Sequence, residues 1–229
     1  MIVGIIGAGN VGRALAGSLT RGGHAVVISS SKPEDAKAVA AATGARAATS
    51  NPEVAQAADV VILAVGFGAI ERLAAELGSA LAGKTVVDVT NVPSPDPANP
   101  SSDATSAAER IQALLPGAHV VKAFNTAFAV RQADPVVDGI QLDGFVAGDD
   151  GDGKTAVLEL VESVGFRPID VGSLPMARTL EALGWLNIQL QIRNGWPWQG
   201  GWKFAGPSSA NTMVPAAAPT NPPTALPVS

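Results

Sequence analysis

Short apolar runs alternate with alanine-rich amphipathic stretches along the first two thirds of the chain. The runs have the length and composition of buried strands, and they cover residues 2–6, 25–28, 60–65, 85–89, 119–124 and 145–147. The stretches between several of them have the spacing of helices, at residues 11–21, 33–42, 69–81 and 104–115. Buried strands that alternate with helices indicate a mostly parallel sheet with helices on both faces. The pattern therefore predicts an α/β protein with a doubly wound sheet.

The last third of the chain departs from this alternation. Residues 174–192 have the pattern of one further long helix, and the four tryptophans lie within it or soon after it, at Trp185, Trp196, Trp198 and Trp202. From residue 207 onward the chain has six prolines and no charged residue, which is typical of a linker or arm. Residues 91–102 carry four prolines and predict a long loop. We expect a doubly wound domain over residues 1–172, a small helical, tryptophan-rich region over 173–206 and a proline-rich tail over 207–229.

A glycine-rich motif follows the first predicted strand directly. Residues 7–12 read GAGNVG, a complete G-x-G-x-x-G that opens the first predicted helix. In such a unit Gly7 makes the tight turn, Gly9 lets the backbone approach a pyrophosphate, and Gly12 lets the helix pack on the strand. The phosphates meet free backbone N–H groups at the positive end of the helix. A purely structural turn is the weaker alternative, so the motif predicts a Rossmann-type dinucleotide site.

The end of the second predicted strand indicates which dinucleotide is bound. An NAD site usually has Asp or Glu there, about 20 residues past the glycines, to hold the ribose hydroxyls. This chain has Ser29, Ser30, Ser31 and Lys32 instead, three hydroxyls and one ammonium that suit a 2′-phosphate. We therefore expect NADP(H) rather than NAD. In the alternative interpretation Ser31 only caps the next helix, with Glu34 completing a capping box, which would remove Ser31 alone from the set.

A second glycine motif, GDDGDGKT at residues 148–155, matches the phosphate-binding pattern G-x-x-x-x-G-K-T. Its loop contains Asp149, Asp150 and Asp152, whose carboxylates would repel a triphosphate. A calcium loop of the EF-hand type needs a ligand where Gly148 stands. Acidic residues are favourable at a helix N-terminus, so we interpret the segment as a strand-to-helix turn.

Composition narrows the classes of function. The net charge is -5 and no basic stripe is present, which argues against nucleic-acid binding. Cysteine is absent and the only histidines are His24 and His119, which we interpret as structural, so no metal site is expected. No apolar run is long enough to span a membrane, and the apolar start is interrupted by glycines and lacks a basic leader. We expect a cytoplasmic protein with a small-molecule partner and no membrane or nucleic-acid partner.

Seven stretches, in order from residue 4 to about residue 183, resemble the coenzyme F420:NADP oxidoreductases, a family of NADPH-dependent deazaflavin reductases, and their bacterial relatives. The stretches are GIIGAGNVGRALAGSL, GHAVVISSS, ADVVILAV, SSDATSAAERIQALLPGAHVVKAFNT, FVAGDDGDGK, GFRPIDVGSL and ARTLEAL. As a set they are specific for the family. They are less specific for the substrate, because membrane metalloreductases of the ferric-reducing type carry a similar cytoplasmic domain.

The resemblance implies a cofactor site that agrees with the motif analysis. It places Asn10 and Val11 with the glycines around the pyrophosphate, and it places Ser30, Ser31 and Lys32 on the 2′-phosphate. In archaeal members an arginine tends to stand at the position of Ser31.

The resemblance also implies the remainder of the groove. The residues that would border it between adenosine and nicotinamide are Val65, Gly66 and Phe67. The residues that would line the nicotinamide and substrate side, after later strands, are Asn91, Asn125, Thr126 and Ala129. Archaeal relatives tend to have a histidine where Asn125 stands.

The function that the resemblance implies is NADPH-dependent hydride transfer to or from a deazaflavin or flavin-like acceptor. Hydride transfer between stacked rings needs mainly proximity and orientation, so we assign no catalytic acid or base. Two alternatives stay open. One is reduction of a small carbonyl, imine or ferric substrate; enzymes that reduce carbonyls or imines usually offer a lysine or aspartate near the nicotinamide, and Lys122 is the only candidate. The other is a non-catalytic NADP-binding sensor. The tryptophans could line a pocket or, more often, form core or interface, and we expect a homodimer.

Overall fold

The computed structural model of the chain describes residues 1–92 and 105–206. The predicted tail over 207–229 and most of the predicted loop over 91–102 lie outside the described residues. Within the described ranges the ten strands are β1 (Ile2–Ile6), β2 (Ala25–Ser29), β3 (Arg46–Ala47), β4 (Val60–Leu63), β5 (Thr85–Asp88), β6 (His119–Lys122), β7 (Val136–Val137), β8 (Ile140–Gln141), β9 (Asp143–Gly148) and β10 (Arg167–Asp170).

Helices connect most of these strands. The eight α-helices of the described ranges are α1 (Asn10–Arg21), α2 (Pro33–Thr43), α3 (Asn51–Ala57), α4 (Ile70–Leu77), α5 (Ala107–Leu114), α6 (Ala129–Ala133), α7 (Gly151–Ser163) and α8 (Ala177–Asn194). Single 3-10 turns at Phe67–Ala69 and Leu174–Met176 lead into α4 and α8.

Eight strands form one sheet in the order β10-β9-β6-β5-β4-β1-β2-β3. The six strands from β3 to β6 are all parallel, and their order is that of the Rossmann fold. β9 pairs antiparallel with β6, and β10 continues the sheet parallel to β9. The predicted doubly wound, mostly parallel sheet with a helical C-terminal region is therefore confirmed. The strand order reverses between β1 and β4, which leaves a crevice at their carboxyl ends.

The core consists of one apolar layer on each face of the sheet. On one face Val3 and Ile5 of β1 pack with Leu15 of α1 and with residues of α7. On the other face Ile6 packs with α3, α4 and α5. Gly4 of β1 lies so close to α3 that an added Cβ would stand 2.6 Å from a methyl group of Val54. Strands that are buried on both faces have continuous apolar sequences, which is why the hydrophobic pattern predicted their positions.

The polar and short elements were not predicted from the apolar pattern. β10 includes a proline and has no fully buried residue, because it lies at the edge of the sheet, and β3 has two residues. α3 has seven residues, but its start carries a signal: the Ser50 side chain accepts a hydrogen bond from the backbone of Glu53, as in an N-cap. The strand predicted over 60–65 ends at Leu63, where the chain turns above the crevice.

The predicted region over 173–206 shares its core with the sheet. Leu174 and Ala177 belong to the same apolar layer as α4 and α5. After α8, the chain returns to β9, where the backbone N–H of Asp143 donates to the carbonyl of Trp202 at 2.8 Å. Of the four tryptophans, Trp196 and Trp202 line a cavity of about 230 Å³ beside α8, and Trp185 and Trp198 do not line it.

The side chain of Asp143, on β9, holds the segment that follows α8 against the sheet. This side chain is fully buried and accepts two hydrogen bonds from Arg167, at 2.6 and 2.8 Å, one from Lys203 and one from the backbone of Phe204. Burial by itself would raise the pKa of Asp143, but the hydrogen bonds from these three partners outweigh it and hold the pKa below its ordinary value.

We predict that Asp143→Asn lowers the free energy of unfolding by about 2 kcal/mol, since it leaves two cations without their carboxylate and these cations are only partly buried. Because the folded-state pKa is depressed, the carboxylate stabilises the protein fully at neutral pH and loses that effect as the pH falls through the folded-state value. Denaturant unfolding followed by tryptophan fluorescence at several pH values checks this. Asp138→Asn, which removes an exposed carboxylate, is the control; equal stability of the two variants at pH 7 would contradict the prediction.

Candidate active site

Three adjoining cavities form a continuous groove along the carboxyl edge of the sheet, with volumes of about 370, 310 and 150 Å³. The first lies at the end of β2 and shares Gly9, Val65 and Gly66 with the second. The second crosses the crevice and shares Val11, Val89 and Asn91 with the third, which ends against α8. The groove therefore passes over the point where the strand order reverses, which is where open α/β sheets bind their ligands.

The three motif glycines have different geometric reasons to be glycine. Gly7 has a φ of +116°, and an added Cβ would stand 2.2 Å from the carbonyl oxygen of Ala64. Gly12 lies in α1 against the turn, where a Cβ would stand 1.9 Å from the carbonyl oxygen of Gly7. Gly9 has no neighbour within 4 Å of the Cβ position. Its open side faces the groove, so a ligand can approach the backbone there.

The N-terminus of α1 presents unneutralised positive potential to the groove. Gly9 is the N-cap, no side chain caps the helix, and the first turn contains no acidic residue. The first backbone N–H groups of a helix lack intrahelical partners, so they can bind an anion.

The second glycine motif has the opposite electrostatics. Residues 148–155 join β9 to α7, as predicted for a strand-to-helix turn. The Asp150 side chain caps α7 by accepting from the backbone of Gly153 at 2.7 Å, and Asp152 lies in the first turn. Lys154 forms an ion pair with Asp170 at 3.0 Å. The helix terminus and the lysine are thus already occupied by carboxylates of the chain.

The end of β2 supplies hydroxyl and ammonium groups to the first cavity. Ser30, Ser31 and Lys32 line it, and the Ser30 hydroxyl accepts a hydrogen bond from the backbone N–H of Lys32 at 3.2 Å. Lys32 is the N-cap of α2, and no side chain caps that helix, so the alternative in which Ser31 forms a capping box is wrong. Ser29 is buried and donates to the side chain of Asn51 at 2.8 Å, beneath the wall of the cavity.

Sequence reasoning missed three polar residues of the first cavity, namely Asp35, Asn51 and Arg72. They come from the first turns of α2, α3 and α4. No local motif marks them. The common signal is that each helix starts at the carboxyl edge of the sheet, so its first turn borders the groove.

The third cavity is built around a pair of asparagines. The Asn125 amide donates to the side-chain oxygen of Asn91 at 2.8 Å and to the backbone oxygen of Leu180 at 2.9 Å. Gly184 of α8 allows this close packing, since an added Cβ would stand 2.9 Å from the carbonyl oxygen of Asn125. The preceding residue, Phe124, has a φ of +62°, which is uncommon for a bulky residue and concentrates at functional sites.

Two buried oxygens at this end of the groove have no hydrogen-bond partner among the described residues. They are the side-chain oxygen of Asn125 and the hydroxyl of Thr90. Thr90 lines the second cavity and Asn125 lines the third. A buried polar atom without a partner is costly, so a polar ligand group that paired with either atom would be stabilised.

A buried ionic network lies beneath this end of the groove. Lys122 is fully buried on β6 and donates to the Asp88 carboxylate at 2.8 Å, to the Glu181 carboxylate at 2.9 Å and to the backbone oxygen of Thr90. Burial raises the pKa of Glu181 above its ordinary value, although Lys122 acts in the opposite direction. The network joins β5, β6 and α8. Lys122 does not line any of the three cavities.

Fourteen of the sixteen predicted site residues line the groove, and the two exceptions are Gly12 and Ser29, which lie beneath it. Outside it, the His24 ring contacts the Ser163 hydroxyl at 2.9 Å, and the His119 ring lies 3.3 Å from the Asp150 carboxylate. Within residues 1–92 and 105–206 no group of three or more histidine, aspartate or glutamate side chains could hold a metal ion. Neither described range contains a helix with the length and apolarity that a bilayer span needs.

Comparisons with known proteins give one family model and two kinds of relative. The family model described as "NADP oxidoreductase coenzyme F420-dependent" matches residues 2–92. The F420-dependent NADP reductase of Methanothermobacter marburgensis is 33% identical over 208 residues, which cover 82% of this chain and 91% of that protein. The metalloreductase STEAP3 of Rattus norvegicus is 36% identical over 186 residues, which cover 79% of this chain and 36% of STEAP3. The chain thus spans little more than a third of the metalloreductases it matches.

A solved structure extends the likeness to the fold as a whole. The crystal structure of a candidate F420-dependent NADP reductase from Arthrobacter sp. FB24 has a TM-score of 0.78 and 30% identity, and the match covers 89% of this chain and 99% of that one. Both matches cover more of this chain than the family model, which ends at residue 92. From the glycine turn, the groove and these matches, we conclude that the chain belongs to the coenzyme F420-dependent NADP oxidoreductase family.

Proposed function

We propose that this protein transfers a hydride between NADP(H) and a deazaflavin or flavin-like acceptor such as coenzyme F420. The observation that carries the proposal is the continuous groove, which has hydroxyl and cationic groups at one end and amide and apolar groups at the other. NADP(H) has the same order, with a charged phosphate at its adenosine end and an uncharged carboxamide at its nicotinamide end. The name of the Methanothermobacter relative supports the same activity.

The adenosine end of NADP(H) would occupy the first cavity, with the 2′-phosphate on Ser30, Ser31 and Lys32. The pyrophosphate would lie over the open side of Gly9, where the uncapped N-terminus of α1 offers the backbone N–H groups of Asn10 and its neighbours. Val65, Gly66 and Phe67 would border the cofactor on the side of β4.

The nicotinamide end would occupy the second and third cavities. When bound, the cofactor supplies a hydride from its nicotinamide ring, and the task of the protein is to hold that ring against the acceptor. The unpartnered oxygens of Thr90 and Asn125 are placed to accept hydrogen bonds from a carboxamide or from a ring N–H. Thr126 and Ala129 line the same third cavity and would contact the acceptor.

The acceptor that fits the third cavity best is a flat, polar-edged ring. The described residues that line the cavity include Phe124, Phe128 and Ile188 beside the asparagines, and none of them is charged. Phe128 packs edge-to-face on Trp198, with ring centroids 5.4 Å apart, so the tryptophan-rich segment borders this end of the groove. Aromatic and amide groups suit stacking and hydrogen bonding to a flavin-like ring.

Reduction of a carbonyl or imine finds less support in the geometry. Such a reaction needs a proton donor near the nicotinamide, and Lys122 was the candidate. The Lys122 ammonium is buried and already paired with Asp88, Glu181 and a backbone carbonyl, so it would have to leave two carboxylates to reach a substrate. We expect this lysine to have a structural role.

A homodimer is the assembly we propose. α8 and the segment after it expose an unusual number of large apolar side chains for a protein surface, namely Leu186, Ile192, Trp196, Trp198 and Phe204. A second copy that covered this surface would also lie close to the third cavity.

The test of the proposed function is anaerobic stopped-flow mixing of the protein and NADPH with oxidised coenzyme F420, with flavin mononucleotide as the control acceptor. We expect the deazaflavin absorbance to bleach rapidly, and faster than the flavin is reduced. Tight NADPH binding without reduction of either acceptor, or of a panel of carbonyls, would contradict the proposal and favour the sensor alternative.

The placement of the 2′-phosphate gives a second prediction. Ser30→Glu should weaken NADPH binding at least about tenfold, because a carboxylate would face the dianionic phosphate, and should leave NADH binding nearly unchanged. Titration of each nucleotide by tryptophan fluorescence measures the ratio. Ser30→Ala, which removes only the hydroxyl, is the control. Unchanged relative affinities in the glutamate variant would show that the phosphate lies elsewhere.

The glycines give a third prediction that separates binding from folding. Gly9→Ala should fold with unchanged stability, since its Cβ meets nothing within 4 Å, yet should weaken NADPH because the methyl group occupies the approach of the pyrophosphate. Gly12→Ala should lower the free energy of unfolding by about 3 kcal/mol, because its Cβ would overlap the carbonyl of Gly7. Thermal unfolding together with NADPH titration distinguishes the two. Equal loss of stability in both variants would contradict this assignment.

A further inference from the structure

We propose that Arg72 is the second cation of the 2′-phosphate site and that it determines the preference for NADP over NAD. The inference rests on the proposed function and deepens it, since it names a residue that recognises the cofactor from the wall opposite β2. Arg72 lies in the first turn of α4 and lines the first cavity together with Ala69 and Leu73.

The charges of the first cavity support this assignment. Its charged lining residues are Lys32, Asp35 and Arg72. Lys32 and Asp35 cancel, so without Arg72 the lining would carry no net charge toward a phosphate with a charge of about −1.5 to −2. Arg72 makes the lining net positive. The hydroxyls of Ser30 and Ser31 can orient a phosphate, but they do not neutralise it.

The neighbours of Arg72 leave its guanidinium available. Glu76 lies one turn further along α4, at the spacing at which Arg and Glu commonly pair on a helix. Both carboxylate oxygens of Glu76 instead accept from the Asn51 amide, at 3.1 and 3.2 Å, and the Asn51 oxygen accepts from the Ser29 hydroxyl at 2.8 Å. In the described part of the chain Arg72 has no ion pair or hydrogen bond of its own.

The buried Ser29 hydroxyl contributes to this arrangement. It donates to the Asn51 side-chain oxygen, and the Asn51 amide donates to Glu76, so Glu76 is engaged by Asn51 and not by Arg72. The exposed arginine then faces the cavity from one wall while Lys32 faces it from the other. A guanidinium can bind two phosphate oxygens at once, which a ribose hydroxyl in NAD cannot reproduce.

The experiment compares two fragments of the cofactors, 2′,5′-ADP and 5′-AMP, by isothermal titration calorimetry, together with NADPH and NADH. We expect Arg72→Gln to weaken 2′,5′-ADP and NADPH at least about tenfold and to change 5′-AMP and NADH by less than about twofold. Arg72→Lys should retain part of the preference because it keeps the charge and loses the bidentate geometry. Arg193→Gln, at the exposed end of α8 and outside the three cavities, is the matched control for loss of one positive charge.

Each other outcome overturns the inference. Equal weakening of 2′,5′-ADP and 5′-AMP by Arg72→Gln would mean that the arginine contacts the adenine or the 5′-phosphate. Unchanged binding of all four nucleotides would mean that it contacts none of them. If the unmodified protein bound neither 2′,5′-ADP nor NADPH, the proposed function itself would be contradicted. If the unmodified protein bound both and Arg72→Gln caused no selective loss, only the role of Arg72 would be contradicted.

Discussion

The close backbone contact between the turn after β1, the start of α1 and the end of β4 is the constraint on which the groove depends. The carbonyl of Ala64 lies where a side chain on Gly7 would be, and the carbonyl of Gly7 lies where a side chain on Gly12 would be. The N–H of Gly7 also donates to the carbonyl of Ser29 at 2.9 Å, which ties the turn to β2. Because no side chains intervene, the N-terminus of α1 opens directly onto the crevice, and the first two cavities meet above Gly9.

The buried network of Lys122, Asp88 and Glu181 fixes the opposite end of the groove. It joins two strands of the sheet to α8, and α8 in turn closes the third cavity through Gly184 and its neighbours. Removal of one member of such a network would leave a buried charge unpaired. The charges are thus placed below the lining, where they position backbone and amide groups, and the lining of the third cavity itself stays uncharged.

Two strand–glycine–helix units of this chain differ in the charge at the helix N-terminus. α1 begins without an acidic residue or a side-chain cap, whereas α7 begins with Asp150 as its cap and Asp152 in its first turn. The macrodipole of α7 is therefore satisfied by the chain itself, and that of α1 remains available to an anion. Since capping and charge are local, this difference between the two helix N-termini could be predicted from the sequence.

The sequence by itself determined the features that arise within a few residues. These are the buried strands, whose two covered faces require continuous apolar runs, the glycine turn with Gly7, Gly9 and Gly12, and the serines and lysine that follow β2. Only the tertiary structure decided which polar residues share the groove. Asn51 and Arg72 come from different helices, and they meet Lys32 because parallel strands bring their carboxyl ends to one edge. Tertiary packing also decided that Ser29 points beneath the groove, since Asn51 of α3 lies there to accept its hydroxyl.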